Sequence, residues 1–368
     1  MKTRVPAKLD PPRRILVRGV NWLGDAVLTT PALLRLREHF PGAHITLFCP
    51  DKLKELWWQH PAISEIIAFE SRAAAWVTGR VLRTGKFDLA LVLPNSPRSA
   101  MEVFFARIPA RIGYARPWRN FFLTQTVAPR AGAVPMHKRT EAEIKGLIAG
   151  RPAARVPYPA SAHQIHEYLH LTAALGANPA ALAPQLTVTP EEVAAVKKKF
   201  GLEALSRPVF GLNPGAEYGP AKRWPAEKFS AAAKEIQTRT NCLWLIFGGK
   251  NDVTPATRIG QGIEHQNLAG KTSLRELMAL LKLCRVLLTN DTGPMHVAAA
   301  LGTPVVVPFG STSPELTGPV SADGVRHQII KSDAPCSPCF LRECPIDFRC
   351  LNGISSGQVA ATVLQAVG

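Results

Sequence analysis

Short apolar runs alternate with amphipathic stretches along most of the chain. In the first half, strand-like runs cover residues 13–20, 44–49, 63–69 and 87–93, with helical patterns between them. In the second half, strand-like runs cover residues 208–212, 242–247, 284–289 and 303–309, and helical patterns cover residues 225–238, 253–262, 273–283 and 355–367. Apolar, β-branched strands that alternate with helices predict parallel sheets covered on both faces, so we expect an α/β fold.

The predicted helix after the first strand contains a proline. The segment NWLGDAVLTTPALLRLREHFPG has an amphipathic pattern, but Pro31 has no N–H group to donate. We therefore expect this helix either to kink at Pro31 or to begin at Thr30.

The chain of 368 residues is longer than one hydrophobic core usually supports, so we expect two domains. The regular pattern is lost at residues 130–159, which predicts a mobile loop or an irregular insertion, and returns as a helix near residues 161–175. Residues 178–184 are rich in Pro and Ala, as linkers often are. The predicted organisation is an N-terminal Rossmann-like domain at 13–177, a C-terminal Rossmann-like domain at 185–354 and a C-terminal helix at 355–368.

Composition and charge narrow the class of protein. The chain is 46% hydrophobic, has no run of about 18 apolar residues, and begins with a basic, Pro-rich segment that lacks the apolar region of a secretory signal. A cytoplasmic globular protein is therefore expected. Lys and Arg number 44 against 27 Asp and Glu, and the net charge of +17 indicates an anionic partner. Nucleic acid, an anionic membrane face and a phosphorylated small molecule all fit this charge.

Arginines are interleaved with aromatic residues in the segment 98–119. The arginines are Arg98, Arg107, Arg111, Arg116 and Arg119, and the aromatic residues are Phe104, Phe105, Tyr114 and Trp118. Two interpretations stay open: a solvated surface beside core aromatics, or a cationic rim that binds the phosphates of a large acceptor.

Seven cysteines fall into two groups. Three lie in apolar, core-like runs: Cys49, Cys242 and Cys284. Four lie in the segment CSPCFLRECPIDFRC: Cys336, Cys339, Cys344 and Cys350. The spacing of these four fits a zinc knuckle, two disulfides or reduced packing thiols. Reduced thiols are favoured for two reasons. Disulfides are disfavoured in the cytoplasm, and no second pair of zinc ligands comes from another element. We therefore predict no metal site.

A nucleotide site is predicted at the motif NDTGPMH, residues 290–296. An apolar strand precedes it, Asp291 or Thr292 can cap the helix that follows, and Pro294 suits the first helical position. The free amides of such a helix start, here near Gly293, and its dipole favour phosphate. His296 lies one turn into the helix and either binds phosphate or ribose or packs against the sheet.

Two further clusters carry charged groups at predicted strand ends. In NPGAEYGPAKRWP, Gly215 and Gly219 allow close approach of the backbone, while Lys222 and Arg223 provide either a phosphate grip or solvated surface charge. In GVNWLGDAVLTTP, Asp25 follows the first strand and is either a general base for an acceptor hydroxyl, a helix N-cap, or both. The chain has no DxD, HExxH, GxSxG or GxxxxGK[ST] motif, so metal-dependent diphosphate binding, zinc hydrolysis, serine hydrolysis and P-loop chemistry lack their residues.

These clusters, followed by the cysteine loop, resemble in the same order the ADP-heptose lipopolysaccharide heptosyltransferases of glycosyltransferase family 9. The AKRWP element and the cysteine loop are most similar to the heptosyltransferase II members, which add the second heptose of the inner core. The resemblance implies a GT-B fold, in which two Rossmann-like domains face a central cleft. It also implies metal-independent, inverting transfer from ADP-heptose, without a cofactor, to an anionic heptosyl-Kdo2-lipid A acceptor at the cytoplasmic face of the inner membrane.

The resemblance also implies roles for individual residues. Asp25 matches the family's catalytic base and Lys222 the lysine that contacts the sugar diphosphate. Asp291, Thr292, Gly293 and His296 match the family's nucleotide-sugar motif. The predicted donor-binding residues also include Gly215, Glu217, Tyr218, Arg223, Lys271 and Thr272. Among the donor-binding residues, Asp291 is expected to bind heptose hydroxyls, and Lys271 and Thr272 lie in the adenosine region. Residues 216–218 depart from the threonine pair of heptosyltransferase I. Charge alone adds Arg98, Arg116 and Arg119 as acceptor-binding residues.

Three alternatives are kept beside this prediction. The first is another GT-B nucleotide-sugar transferase or an epimerase, and the second is heptosyltransferase I or III of the same family. The third, a nucleic-acid-binding protein, rests only on the net charge, because the chain carries no recognisable recognition helix, RNA-binding aromatic signature or zinc-finger spacing. We therefore predict no nucleic-acid partner.

Overall fold

Two parallel sheets form the framework of the chain in the computed structural model, which describes residues 11–70, 73–150, 158–320 and 324–368. In chain order, the strands of the described residues are β1 (Arg14–Arg18), β2 (His44–Pro50), β3 (Glu65–Phe69), β4 (Leu89–Val92), β5 (Ala110–Tyr114), β6 (Gln125–Val127), β7 (Val209–Asn213), β8 (Leu243–Ile246), β9 (His265–Asn267), β10 (Leu287–Thr289), β11 (Val305–Pro308) and β12 (Gln328–Ile330). The predicted α/β class is confirmed.

The α-helices connect these strands and cover both sheets. In the same described ranges they are α1 (Leu23–Leu28), α2 (Thr30–His39), α3 (Ala75–Arg83), α4 (Pro97–Phe105), α5 (Glu141–Ile148), α6 (Ile165–Ala173), α7 (Pro190–Lys199), α8 (Ala226–Thr240), α9 (Val253–Gly260), α10 (Leu274–Leu283), α11 (Gly293–Ala300), α12 (Pro314–Thr317), α13 (Arg349–Asn352) and α14 (Ser356–Val367). None of these helices is long and apolar enough to cross a bilayer.

Both sheets have the same strand order. The first is β3-β2-β1-β4-β5-β6 and the second is β12-β11-β10-β7-β8-β9, and all their pairings are parallel. In each sheet the chain adds strands first on one side of its starting strand and then on the other. The strand order therefore reverses between β1 and β4 in the first sheet and between β7 and β10 in the second. Open α/β sheets bind ligands at this switch point, outside the carboxyl ends of the strands.

The chain folds into two compact units. The first comprises Met1–Ala133 and Ile165–Leu182, and the second comprises Val134–Gln164 and Ala183–Gly368. The described residues of the range 134–164, which the sequence pattern assigns to the N-terminal domain, thus belong to the second unit. The C-terminal helix α14 also packs there, because Val359, Ala360 and Val363 lie in the core beside α8.

The structure resolves the ambiguity at Pro31. Helix α1 ends at Leu28 and α2 begins at Thr30, so the chain forms two helices rather than one kinked helix. Pro31 then occupies the first turn of α2, where the N–H that it lacks would have no partner within the helix.

Several elements differ from the sequence prediction. Residues 141–148, predicted as loop or irregular insertion, form α5, because Thr140 and Glu143 build a capping box. The rest of that segment includes residues 151–157, which lie outside the described residues. The strands β5 and β6 and the helix α7 have no counterpart in the predicted pattern.

Candidate functional site

The switch point of the second unit is lined by polar residues that follow β7 and β10. Asn213 ends β7 and pairs in register with Thr289, the last residue of β10. The Asn213 amide nitrogen donates to Thr289 Oγ1 at 3.2 Å, and both side chains are buried. This bond ties the two strand ends together, so the loops that follow them start from a fixed geometry.

Asn290 continues this buried framework. Its Oδ1 accepts from the Trp224 backbone N–H at 3.0 Å, and its Nδ2 donates to Pro214 O at 2.7 Å. Because Asn290 is fully buried, both bonds are needed to satisfy its amide. The side chain thereby positions the segment 214–224 against the loop after β10.

An ion pair forms the centre of the site. Lys222 Nζ lies 2.6 Å from Asp291 Oδ2, with side-chain exposures of 13% and 4%. Thr312 Oγ1 donates to the same carboxylate oxygen at 2.5 Å. A buried carboxylate is costly unless it is paired, so these two neighbours fix the position of Asp291. The sequence prediction includes Lys222 and Asp291 but not Thr312.

The ring of Tyr218 lies close to two cations. Lys222 Nζ is 5.0 Å from the centroid of its ring, and the guanidinium carbon of Arg342 is 5.2 Å from it. The Tyr218 hydroxyl donates to Phe340 O at 2.7 Å, and burial raises the pKa of this phenol. The ring therefore holds two positive charges near one another, which favours an anionic ligand.

Gly219 allows its backbone to lie close to the backbone of Arg342. Its φ is +151°, and a Cβ added there would lie 2.5 Å from Arg342 O. The same carbonyl accepts from the Ala221 N–H at 3.0 Å. A side chain at Gly219 would displace the carbonyl that supports the residue before Lys222.

Helix α11 begins beside the ion pair. Thr292 is its N-cap residue, Gly293 its first residue and Pro294 lies in its first turn. The Thr292 hydroxyl does not cap the helix, so the helix start keeps its preference for an external acceptor. Asp291, the other candidate cap, instead binds Lys222 and Thr312.

His296 lies inside the same helix and is buried. Burial lowers its pKa to about 4, Asp291 opposes this shift, and the neighbouring His163, Lys222 and His327 add to it. The imidazole is therefore neutral at pH 7 and can either donate or accept a hydrogen bond.

The other predicted donor-binding residues of this unit are more dispersed. The exposed Arg223 directs its guanidinium back to Ala216 O at 3.2 and 3.3 Å and lines a pocket of about 310 Å³ that also contacts Asp252. A Cβ on Gly215 would lie 2.5 Å from the Asp252 carboxylate, so close packing with Asp252 explains this glycine. Glu217 is exposed.

Lys271 and Thr272 lie after β9, the edge strand two positions away from β7. The Lys271 ammonium donates to Asn267 O at 2.9 Å. These residues therefore belong to a different part of the carboxyl edge of the sheet from the Lys222–Asp291 pair.

Asp25 lies at the switch point of the first unit. It follows β1 and is the third residue of α1, with Trp22 as the N-cap. The N-cap alternative for Asp25 is therefore wrong, because the helix begins three residues earlier than that alternative requires. A half-buried carboxylate in a first helical turn is favoured in its ionised form by the helix dipole.

The predicted arginine rim is only partly at the surface. Arg119 has no exposed surface, donates to Pro94 O at 2.8 Å, and its Nε and Nη2 have no hydrogen-bond partner within the part of the chain that the structure describes. Burial lowers its pKa to about 10. Its expected surface position is thus corrected: the loop after β5 folds its guanidinium inward. Arg98 binds Glu102 at 3.1 Å, and the half-buried Arg116 donates to Ala115 O at 3.2 Å.

The cysteine loop is bonded to the segment that follows β11, next to the site. All seven cysteines are unpaired, and the N–H groups of Cys339 and Phe340 donate to Ser311 O at 3.1 and 2.7 Å. Burial raises the pKa of Cys350 to about 12. Within the described ranges, no three His, Cys, Asp or Glu side chains are arranged to hold a metal ion. The loop also contributes Arg342, which the sequence prediction does not include.

The sequence carries a signal for Thr312 that the prediction does not use. The residues Ser311, Thr312 and Ser313 follow the apolar strand β11 and are all buried. Because β11 neighbours β10, a polar run after it lies at the same sheet edge as Asp291. No comparable signal marks Arg342, whose position depends on how the cysteine loop folds.

Comparison with known proteins gives consistent results. A family model described as glycosyltransferase family 9 (heptosyltransferase) matches residues 76–348. Lipopolysaccharide heptosyltransferase 2 of Escherichia coli K12 is 32% identical over 342 residues, which cover 87% of this chain and 91% of that protein. Lipooligosaccharide heptosyltransferase 2 of Haemophilus influenzae is 31% identical over 333 residues, which cover 87% of this chain and 89% of that protein. The solved structure of E. coli ADP-heptose LPS heptosyltransferase II matches with a TM-score of 0.78 and 28% identity, and covers 96% of this chain and 98% of that one.

Proposed function

The chain belongs to glycosyltransferase family 9, the heptosyltransferases, and from that premise we propose that it is an inverting heptosyltransferase II. The donor is ADP-heptose and the transferred sugar is L-glycero-D-manno-heptose. The acceptor is the heptose I residue of the lipopolysaccharide inner core, carried by heptosyl-Kdo2-lipid A. The names of the relatives and their near-complete overlap with this chain support the reaction, and the GT-B fold supports its class.

The observation that carries the proposal is the buried Lys222–Asp291 pair at the start of α11. A nucleotide diphosphate needs positive charge and free amides, which Lys222, Thr292 and Gly293 offer together. Heptose hydroxyls need a fixed acceptor, which Asp291 offers. Neutral His296 supplies a further hydrogen bond, and Tyr218 with Arg342 adds charge beside Lys222.

Other parts of the second unit complete donor recognition in this proposal. Lys271 and Thr272 contact the adenosine, while Arg223, Gly215 and Glu217 border the segment that carries Lys222. No organic cofactor or metal ion is required, because Lys222 and the dipole of α11 neutralise the diphosphate as its charge develops.

The first unit supplies the base and the acceptor site. Asp25 takes the proton from the acceptor hydroxyl while the oxygen of that hydroxyl forms a bond to the anomeric carbon. The bond from that carbon to the diphosphate oxygen breaks, and ADP leaves with the electron pair. Attack from the face opposite to ADP inverts the anomeric centre. Arg98 and Arg116 bind acceptor phosphates, and Arg119 contributes only if its buried guanidinium is uncovered.

The acceptor is an amphiphile, so the proposal places the protein peripherally at the cytoplasmic face of the inner membrane. The net charge of +17 supports attraction to an anionic surface.

Donor and leaving-group stabilisation can be tested in one assay. ADP release is measured from ADP-heptose with heptosyl-Kdo2-lipid A, and UDP release from a UDP-sugar serves as comparison. We expect turnover with ADP-heptose only, and a fall in kcat of about 10²–10³-fold in Lys222→Gln, since a preorganised charge at the leaving group is lost.

The matched control is Lys234→Gln, which removes an exposed lysine on α8 and should keep full activity. Transfer from the UDP-sugar alone would show that the donor assignment is wrong. Full activity of a folded Lys222→Gln protein would remove Lys222 from the mechanism.

A further inference from the structure

Large apolar side chains are exposed mainly in the first unit. Eight of those that the described residues leave exposed lie there: Trp22, Trp58, Trp76, Val77, Val81, Phe105, Trp118 and Phe121. The second unit exposes Met136, Val253 and Ile329 in the same described ranges. Contiguous exposed apolar surface on one part of a protein marks an interaction site.

Helix α3 turns its apolar side outward. Trp76, Val77 and Val81 are exposed, at 53%, 38% and 59%, while Thr78, Gly79 and Leu82 are buried. Leu82 packs in the core, whereas the other three large apolar side chains of the helix face away from it, which a helix that only covers a core does not show. Its outward side chains therefore suit contact with another apolar phase.

Basic residues line one edge of this apolar face. Arg80 and Arg83 are exposed, and the Arg80 guanidinium carbon lies 5.3 Å from the centroid of the Trp76 ring. At 100° per residue, Arg80 and Arg83 fall on either side of Trp76, whereas Val77 and Val81 continue the apolar arc away from them. We call this surface the α3 patch, defined by Trp76, Val77, Arg80, Val81 and Arg83.

The α3 patch continues through packed contacts into a second aromatic group. Helix α3 packs on α4 so closely that a Cβ on Gly79 would lie 2.4 Å from the Phe105 Cβ. Phe105 contacts Phe104, whose ring centroid is 6.1 Å from that of Phe121. Phe121 is 82% exposed, and Trp118 in the same loop is 89% exposed.

The segment that carries this surface is mostly positive. The segment 73–122 contains eight Lys or Arg residues but two carboxylates, Asp88 and Glu102. Asp88 accepts from the backbone N–H groups of Arg13 and Arg14, and Glu102 is buried in its ion pairs with Arg18 and Arg98. With eight basic side chains against these two carboxylates, the segment has a net positive charge.

The position in the fold agrees with a lipid-linked acceptor. The first turn of α3, which carries Trp76 and Val77, follows β3 and lies at the carboxyl edge of the sheet. Asp25 follows β1 at the same edge. Phe121 contacts Phe104 near the end of α4, and Phe122 O accepts from Arg111 near the start of β5, so this part of the aromatic group lies towards the opposite edge.

We propose that the α3 patch docks the protein on an anionic lipid bilayer, with Trp76, Val77 and Val81 in the headgroup region and Arg80 and Arg83 against lipid phosphates. Charge complementarity and outward tryptophan favour a bilayer over a protein partner, since Trp and Arg side chains are well suited to the membrane interface. The inference rests on the proposed function, because it explains how an enzyme without a described spanning helix reaches an acceptor held in a membrane.

The test is co-sedimentation of the full chain with vesicles of phosphatidylcholine alone or with added phosphatidylglycerol. The wild type should bind the anionic vesicles, and binding should weaken as salt is raised. Trp76→Ser/Val81→Ser should lower the partition coefficient at least about tenfold. Arg80→Gln/Arg83→Gln should lower it about 25-fold, at about fivefold for each basic residue.

The matched control is Val253→Ser/Ile329→Ser, which removes exposed apolar side chains from the second unit and should bind as the wild type does. Turnover of a deacylated, water-soluble acceptor should be unchanged in the α3-patch variants, whereas turnover of the acceptor in vesicles should fall. The proposal is overturned if the wild type does not bind vesicles, which would leave a protein partner as the occupant, or if the variants bind equally well. Vesicle binding without any heptosyl transfer would reject the proposed function but not the docking surface.

Discussion

Asp291 is held by two neighbours of different chemistry, and this difference makes their roles separable. Lys222 supplies charge at 2.6 Å, whereas Thr312 supplies a single neutral donor to the same oxygen. Removing the partner of a buried charge typically costs about 3–5 kcal/mol, but losing one hydrogen bond to a charged group costs about 1.5–3 kcal/mol. Substitution of Thr312 should therefore perturb Asp291 with a smaller loss of stability than substitution of Lys222.

Thr312→Val should weaken binding of the sugar part of the donor. If Thr312 positions Asp291 for the heptose hydroxyls, KM for ADP-heptose should rise about tenfold, in line with the loss of one charge-assisted hydrogen bond. The affinity for ADP, which has no heptose, should stay unchanged in calorimetry. Thr312→Ser keeps the hydroxyl and should restore KM. An equal loss of affinity for ADP and ADP-heptose would instead indicate a general disturbance of the pocket.

The sequence allows individual site residues to be chosen, but it does not predict their contacts or their burial. Lys222 and Asp291 can be chosen because each follows a predicted strand, yet their direct contact depends on which strands are neighbours. The burial of Arg119 cannot be predicted, because its position beside Trp118 in a basic segment also suits the surface.

Helix α11 is buried along its length, and this has a consequence for pH dependence. Met295 to Ala300 are all buried, so the helix has no polar face to accommodate a charged imidazole. Burial lowers the pKa of His296 from 6.5 to about 4. Between these two values the unfolded chain binds more protons than the folded chain, so the contribution of neutral His296 to stability is complete above pH 6.5 and is lost as pH falls towards 4.

Acidification from about pH 7.5 to about pH 5 should therefore loosen α11 in the wild type. Amide hydrogen exchange over α11, corrected for the intrinsic effect of pH, should show protection falling by up to about 2 kcal/mol. In His296→Gln this loss should largely disappear, since no imidazole remains to be protonated. His60, whose pKa burial also lowers to about 4, lies in the first unit and is present in both proteins, so its effect cancels. Identical pH dependence of the two proteins would contradict the assignment.

Elements are predicted well where their pattern is long and poorly where it is short or basic. The apolar runs that form β1, β2 and β4 lie in the middle of their sheet and are buried, so their sequences are nearly continuous in hydrophobicity. Strands β5 and β6 lie towards its edge, contain or follow arginines and expose part of their length. Helix α7 is missed although Thr189 and Glu192 form a capping box, because the Pro/Ala-rich residues before it suggest a linker.

At the scale of the whole molecule, the two units use the same strand order to present different chemistry. In each, the polar residues of interest follow the strands that flank the switch point. The first unit presents a carboxylate at Asp25, and the second presents the Lys222–Asp291 pair and the start of α11. In the proposed mechanism Asp25 is the base and the second unit binds the donor, so the two units supply different parts of one transfer reaction.

The central claim is that Asp25 of the first unit acts on a donor held by the second, and single-turnover transfer in Asp25→Asn tests it most directly. The rate is measured with saturating ADP-heptose and heptosyl-Kdo2-lipid A, and the donor affinity of the same protein by calorimetry. The control is Asp51→Asn, which removes an exposed carboxylate from the same unit and should transfer as the wild type does. We predict a fall of about 10²–10⁴-fold in the transfer rate, with the affinity for ADP-heptose unchanged. Transfer at the wild-type rate by Asp25→Asn would contradict the account.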